Sequence, residues 1–503
     1  MSILEKHNAG NFKISIYITL FMATALSIGF GLFIAKVNPR LMLDYSPAEA
    51  KKWIALGCLF VLFIFSTVIL KNGVRAFILL LPPIISFSYV LLTFFVSYNQ
   101  YFYNNIFGYH PWILVYEPFI VVIGGTLVFL GRRKTRKQNS WIVSPLLPYL
   151  MLLFSGLFSM LFYARDTTYS WIGLFALTKF LIWIIIFIPL FTDDITHVKP
   201  LALGFACLVI FQSIIGIMQA FQLPIFGSLV DWSSESFITR YGVTRVGGTI
   251  GRSNLEAVLL LVLPVLLSYV IYNRLSNKRG VLIFLSILLG TITVFLTGTR
   301  GPIIALMVGL IATLFIWRKK NAKIVMKISL IIFVFFLLGV FIFLSMGDTK
   351  DTLLRTTYLN RIESFKVGFR MFIASPFFGI GLNNYLITGS SFGISLREIK
   401  IGHTLHNQYI LFLAETGGIG LIAYLLFLIS SFKFTFMAIS YCEESNSLIW
   451  FPIGVLGSLV SFLVISFTDI PLIKEPVVII LALQIAAVIS LSNKRTHTTI
   501  LNK

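Results

Sequence analysis

Two histidines lie three residues apart in the segment GHTLHNQYILFLAETGGIG, residues 402–420. His403 and His406 are two of only six histidines in the chain, and no acidic residue or cysteine stands beside them at ligand spacing. We therefore expect no metal site here. Histidine titrates near neutral pH, so His406, at the start of an apolar helical pattern, is suited to take a proton from a hydroxyl nucleophile. For an isolated histidine, a purely structural role is the stronger alternative.

Arginines mark three further segments that are suited to anion binding. Arg245 precedes a Gly-Gly turn in RVGGTIGRSN, residues 245–254, and Asn254 stands at the head of the next helical pattern. Arg300 lies in LTGTRGP, a short turn between two apolar runs, and Arg361 lies in a basic amphipathic segment. Arginine binds phosphate through paired hydrogen bonds, and a helix start offers free N–H groups. Anchoring at the membrane surface is the alternative role for most of the arginines.

A carboxylate follows the histidines inside the same helical pattern. Glu415 lies nine residues after His406, and three glycines follow it at positions 417, 418 and 420. A carboxylate buried in a membrane helix needs a partner, so Glu415 indicates an internal polar site. The glycines allow another segment to approach this helix closely.

The composition predicts the setting of these residues. Of the 503 residues, 57% are hydrophobic and 12% are charged, and the mean hydropathy is +0.92. Soluble domains carry roughly 25% charged residues. We therefore predict an all-α polytopic integral membrane protein with about 14 transmembrane helices, or about 12 at the lower limit. The apolar runs are 14–35, 53–70, 75–96, 112–131, 141–163, 171–191, 200–222, 254–272, 281–298, 301–317, 328–346, 406–432, 448–468 and 475–492.

Compact basic loops predict the orientation. They are RRKTRK (132–137), NRLSNKR (273–279) and RKKNAK (318–323). Positive residues favour the cytoplasmic side, which places both termini in the cytoplasm and the arginine and histidine segments at the outer face. The net charge of +21 then reflects topology and attraction to anionic membrane lipid, and we expect no nucleic acid partner.

The chain divides into three predicted parts. Residues 1–199 form N-terminal transmembrane helices, residues 200–432 form the region with the arginine and histidine segments, and residues 433–503 add C-terminal helices and a cytoplasmic tail. The middle part includes a large outer loop, 347–405, in which apolar residues recur every three or four positions. This spacing predicts an amphipathic helix on the membrane surface.

Four motifs in this order resemble the O-antigen ligase/polymerase superfamily of bacterial envelope glycosyltransferases. Each motif is loose by itself, but the ordered set is more specific, and the resemblance covers about residues 200–432. One departure is a threonine at position 299, where the family motif has serine. The matching residues are Arg245, Gly248, Thr249 and Asn254; Thr297, Gly298, Thr299, Arg300 and Gly301; Pro376, Gly379 and Gly381; and His406, Asn407, Gly417 and Gly420.

The resemblance implies a metal-independent glycosyltransferase without a cofactor, in the bacterial cytoplasmic (inner) membrane, with its active site facing outside. The donor would be a glycan on undecaprenyl pyrophosphate, and the acceptor would be a hydroxyl group of a glycan, a lipid or another molecule. His406 would be the catalytic residue that activates this hydroxyl. The residues that bind the pyrophosphate and the lipid-linked glycan would be Arg245, Asn254, Arg300, Arg361, His403, Asn407 and Glu415.

Three alternatives stay open at the level of the sequence, and one of them is a structural membrane partner without catalysis. A ligase and a polymerase of this superfamily differ in their acceptor, which the sequence does not identify. A lipid-linked oligosaccharide flippase or another transporter is the alternative from a different class, and it would place charges along a central cavity at mid-membrane depth. Lys179 is the only basic residue deep in a predicted span. This distribution favours an enzyme at the outer face.

Overall fold

The fold is given by a computed structural model, which describes residues 47–85, 90–93, 112–114, 116–131, 145–192, 194–221, 246–273, 278–318, 351–393, 405–444 and 448–501. These residues are almost entirely helical. The helices are α1 (Pro47–Leu70), α2 (Gly73–Ile84), α3 (Tyr116–Phe119), α4 (Gly125–Gly131), α5 (Leu146–Phe162), α6 (Thr167–Thr192), α7 (Lys199–Ala220), α8 (Arg252–Asn273), α9 (Lys278–Leu296), α10 (Arg300–Arg318), α11 (Asp351–Ala374), α12 (Tyr385–Gly389), α13 (Gln408–Glu444), α14 (Trp450–Ile465) and α15 (Glu475–Leu501).

The predicted class of a polytopic helical membrane protein is confirmed. Within the described ranges, seven helices are long and apolar enough to cross a membrane, and five shorter apolar helices accompany them. The predicted number of about fourteen spans is not confirmed. The predicted spans 14–35 and 328–346 lie outside the described residues.

A small sheet departs from the all-α prediction. Strands β1 (Val90–Thr93) and β2 (Trp112–Leu114) pair antiparallel, with an irregularity in register between Val90 and Leu92. The prediction of one span over 75–96 is therefore wrong in its second half. Two consecutive prolines, Pro82 and Pro83, lie in the last turn of α2. Proline lacks the N–H that continues a helix, and this explains the end of α2 at Ile84.

Two helices form the centre of the bundle. The membrane-spanning part of α15 is 100% buried and that of α8 is 89% buried, whereas α9 is 39% buried. Helix α6 packs along α15, α14 along α8, and α5 along α13. Between α10 and α14 the approach is close because Gly309 lies against Ser461 and the carbonyl of Gly457. Helix α14 has only 16 residues, about 24 Å, which is less than the roughly 30 Å of a bilayer core.

Helix α13 is interrupted in the turn after Glu415. Gly417 has φ 69° and ψ −169°, which opens the helical hydrogen-bond ladder. The segment that follows α11 fills the gap: Ile380 N–H donates to Ala414 O at 3.0 Å, and Gly418 N–H donates to Pro376 O at 2.8 Å. The Pro-Gly motif at 376–381 and the glycine motif of α13 are thus joined through their backbones.

Replacing Gly417 by alanine should lower the stability of the fold by about 1–3 kcal/mol, because only glycine adopts this backbone conformation without strain. An added Cβ would also overlap the backbone of Phe377. Thermal unfolding of the purified protein in detergent measures the effect. The matched control is Gly125→Ala, a helical position with open space around the new methyl group, which should leave stability equal or slightly higher. Equal unfolding temperatures for the two variants would contradict the prediction.

Candidate functional site

The candidate site lies at one end of the bundle. Helices α8, α10, α13 and α15 begin there, and α9 and α14 end there. We name it the His406 end, after the residue that precedes α13. Three short connections meet at it: residues 297–300 between α9 and α10, residues 405–407 before α13, and residues 466–474 between α14 and α15.

The central feature is a histidine beside an ion pair. His406 is half-buried, and it is close enough to Asp469 for its positive charge to stabilise the carboxylate. Lys474 Nζ donates to Asp469 Oδ2, and it also donates to the carbonyl of Ser253 at 3.2 Å. The side chains of Lys474 and Asp469 are only 9% and 15% exposed. The pair is therefore shielded from solvent, and the charge of Asp469 acts on the imidazole through a medium of low dielectric constant.

The Asp469 carboxylate is ionised over the physiological pH range. Burial alone would raise its pKa. The charge and hydrogen bond of Lys474, the charge of His406 and the backbone N–H of Ile470 outweigh burial and lower the pKa below the ordinary value of 3.8. A lowered pKa means that the carboxylate stabilises the fold above pH 3.8 and that this contribution is lost as the pH falls through the folded-state pKa.

The start of α13 holds the 466–474 connection in place. Asn407 Oδ1 accepts from Ile410 N–H at 3.0 Å and so caps the helix, while Asn407 Nδ2 donates to Phe467 O at 3.1 Å. Gln408 N–H donates to Ser466 O at 2.9 Å, and Gln408 Oε1 accepts from Leu472 N–H at 3.1 Å. Residues 466–472 are thereby held against Asn407 and Gln408, the two residues that follow His406.

A second carboxylate lies next to this loop. Glu256, in the second turn of α8, is 3% exposed, and its neighbours include Asp469 and Arg252. The hydroxyls of Thr297 and Thr299 also lie near its carboxylate. Glu256 Oε1 has no hydrogen-bond partner in the described part of the chain. A buried acceptor without a partner is costly, so this oxygen is available to a donor from a ligand or from water.

The turn with Arg300 packs directly on the loop. Gly301 touches the Thr468 side chain so closely that a Cβ at position 301 would overlap it. Arg300 is the first residue of α10 and is exposed. Arg300, which is predicted to bind phosphate, therefore begins α10 directly before Gly301, and Gly301 contacts the loop that carries Asp469.

Two glutamines of α7 hold the Gly-Gly turn that precedes α8. Gln219 Oε1 accepts from the N–H groups of Gly247 and Gly248, each at 2.9 Å, and Gln212 Oε1 accepts from Thr249 N–H at 3.0 Å. Both glutamine side chains are buried. No sequence pattern selects them, because their role depends on the packing of α7 against the turn.

The other predicted site residues fall into three groups. Arg245 and His403 lie outside the described residues. Asn254 and Glu415 bond to backbone: Asn254 Nδ2 donates to Ile250 O at 2.8 Å, and Glu415 Oε1 accepts from Tyr385 N–H at 3.2 Å. Arg361 is half-buried on α11. Among the predicted residues, the structure thus brings His406, Asn407 and Arg300 to the same three connections.

Sequence reasoning missed Asp469, Lys474 and Glu256. A signal was present for the first two, because FTDIPLIKE, residues 467–475, places four ionisable or polar residues between two strongly apolar runs. Such residues at a membrane boundary indicate a functional site. Their proximity to His406 depends on how α14 folds back along α13, which the sequence pattern does not reveal.

A comparison with protein families finds a match to part of the chain. Residues 284–425 match the Wzy_C model, described as O-Antigen ligase. The matched segment runs from α9 to α13 and contains Arg300, Arg361 and His406. A comparison with curated proteins finds no match for the chain. The family match indicates a membrane glycan ligase or polymerase. Residues 284–425 are therefore similar to the O-antigen ligase family, and this match supports the superfamily that the order of the motifs predicts.

Proposed function

We propose that the protein transfers a glycan from a lipid pyrophosphate to an acceptor hydroxyl, and that the reaction takes place at the His406 end. The observation that carries this proposal is the position of His406 beside the Asp469 carboxylate, next to the turn with Arg300. A histidine with a carboxylate partner is suited to general base catalysis. The match of residues 284–425 to the O-Antigen ligase family supports the same reaction class.

In the proposed reaction, His406 takes the proton of the acceptor hydroxyl. The hydroxyl oxygen forms a bond to the anomeric carbon of the donor glycan, and the bond from that carbon to the pyrophosphate oxygen breaks. The electron pair of the broken bond stays on the pyrophosphate. Asp469 stabilises the imidazolium that forms, because its negative charge is already in place and shielded from solvent.

Arginine side chains are proposed to bind the pyrophosphate. Arg300 combines a guanidinium with the N-terminal end of α10, and both favour an anion. We propose Arg245 and Arg361 as further donor contacts and His403 as a support for the acceptor. We propose that Asn254, Asn407 and Glu415 shape the site through their hydrogen bonds to backbone groups.

The proposed donor is a glycan on undecaprenyl pyrophosphate, and the proposed location is the bacterial cytoplasmic membrane. The His406 end then faces outside, and both termini lie in the cytoplasm. The basic loops 132–137, 273–279 and 318–323 support this orientation, because they precede or follow helices at the opposite end of the bundle. Metal independence is part of the proposal, with arginines neutralising the leaving group.

Arg300→Ala should lower the rate of transfer by about 100-fold, because a guanidinium that stabilises leaving-group charge is lost. The measurement uses purified protein with an undecaprenyl-pyrophosphate-linked oligosaccharide and follows the products by gel or mass spectrometry. Arg318→Ala is the matched control, since Arg318 is also exposed and ends the same helix at the opposite end. Equal rates for the two variants would remove Arg300 from the proposal.

The same assay separates the classes of acceptor. A ladder of longer lipid-linked chains with donor alone identifies a polymerase. Transfer only after addition of a lipid A-core or another distinct acceptor identifies a ligase. If the protein moves the lipid-linked oligosaccharide across liposome membranes and extends or transfers none of it, the proposed function is wrong and the chain is a transporter.

A further inference from the structure

A second buried charge cluster lies beside the His406 end. Lys179 is in the middle of α6, and its side chain is 5% exposed. Its Nζ donates to Glu117 Oε1 at 3.2 Å and to Glu475 Oε1. The two carboxylates are 6% and 11% exposed. None of these three residues has a role in the reaction proposed above.

The two clusters are joined by consecutive residues. Lys474, which pairs with Asp469, is followed directly by Glu475, which pairs with Lys179. Lys474 has an extended backbone and Glu475 begins α15, so the two residues lie where the extended connection meets the helix. Positive and negative groups therefore alternate from Asp469 through Lys474, Glu475 and Lys179 to Glu117.

In this arrangement the Lys474 ammonium pairs with Asp469, and the Lys179 ammonium pairs with Glu475 and Glu117. Breaking a buried ion pair by removal of one partner leaves a charged group that must pair with another counterion or become neutral by a change of protonation. Without Lys179, the carboxylate of Glu475 would have Lys474 as its adjacent cation in the chain. Lys474 would then be shared between Glu475 and Asp469.

We propose that Lys179 is a positioning residue of the His406 site. By holding Glu475, it leaves the Lys474 ammonium to Asp469 and so sets the pH range in which His406 can accept a proton. This inference rests on the proposed function, because it assigns a distant residue to the control of the proposed base.

The direction of the effect follows from the charges around His406. The charged groups near the loop are Arg252 and Glu256 of α8, Arg300 of α10, Asp469 and Lys474 of the loop itself, and Glu475 of α15, with Lys179 and Glu117 behind it. When Lys474 is drawn toward Glu475, it neutralises less of the negative charge of Asp469, and that charge acts more strongly on His406. A proton then binds the imidazole more tightly, and the acid limb of the pH-rate profile moves to higher pH.

Two double variants with the same total charge test the inference. Lys179→Met/Glu117→Gln leaves Lys474 as the adjacent cation for Glu475, and sharing of Lys474 between Glu475 and Asp469 should move the acid limb up by about one pH unit. Lys179→Met/Glu475→Gln leaves Glu117 instead, which is not adjacent to Lys474, and we expect the wild-type limb. KM for the donor should stay within about threefold in both variants, since neither alters the predicted donor contacts.

Lys366→Met is the control for loss of a lysine. Its ion pair with Glu363 lies on α11 with both side chains more than half exposed, so the profile should not change. Identical acid limbs in the two double variants would overturn the inference, whether both are shifted or neither is. His406→Ala distinguishes a failure of the proposed function from a failure of the proposed role of Lys179. If that variant keeps the transfer activity, the proposed function fails; if it loses activity while the double variants match each other, only the role of Lys179 fails.

Discussion

His406→Ala should lower kcat for glycan transfer by about 1,000-fold at neutral pH, because the proposed base is removed. The remaining rate should lose its acid limb, since the group that must be deprotonated is no longer present. In wild type we expect an acid limb, because the imidazole must be deprotonated to act as the base. Rates measured from about pH 5 to pH 9 on purified protein with the lipid-linked donor give both quantities.

The control for the alanine variant is His197→Ala. His197 is buried at the opposite end of the bundle, where its Nδ1 bonds to Leu190 O at 2.8 Å. This variant loses a histidine and a local hydrogen bond, but it should keep the wild-type pH profile. A rate for His406→Ala within threefold of wild type, in protein that unfolds at the wild-type temperature, would rule out His406 as the base.

Asp469→Asn should lower kcat by about 100-fold and should move the acid limb to lower pH. Its pKa lies below 3.8, so Asp469 is ionised wherever the enzyme is assayed and the limb belongs to His406. Removal of the negative charge takes away the stabilisation of the imidazolium, so the imidazole loses its proton at a lower pH. The shift is opposite in sign to that expected for Lys179→Met/Glu117→Gln, and one pH series therefore tests both.

Asp166→Asn is the matched control for this variant. Asp166 lies at the junction of α5 and α6, near the Asn384 segment, and its carboxylate accepts from Thr168 N–H at 2.9 Å. The same substitution there removes a charge without touching the His406 cluster. A lowered rate with an unchanged acid limb in Asp469→Asn would mean that Asp469 supports the loop but does not act on His406.

Local patterns predicted the helices and the segments that meet at the site. Apolar runs identify spans because each is long enough to cross a bilayer, and Arg300 and His406 stand at the ends of such runs. The glycines around position 417 were expected to allow close contact, and the structure shows the 376–381 segment bonded into that gap. These features depend on a few neighbouring residues, which is why the sequence reveals them.

Contacts between distant segments were not predictable. Asp469 reaches His406 because α14 returns along α13, and Lys179 finds Glu475 because α6 packs on α15. The sequence singled out Lys179 as a basic residue in a span, but it named no partner for it. Hydropathy also failed over 75–96, since an apolar run does not by itself distinguish a helix from a short strand.

The short α14 has a consequence for side reactions. Because the helix spans only about 24 Å, the loop with Asp469 lies below the ends of longer helices such as α6, whose central Lys179 bonds to Glu475. The donor glycan would then wait for its acceptor in a medium with little bulk water, which protects it from hydrolysis. An acceptor must extend its hydroxyl down to this depth, so the protein should favour slender, flexible glycan ends over compact, branched ones.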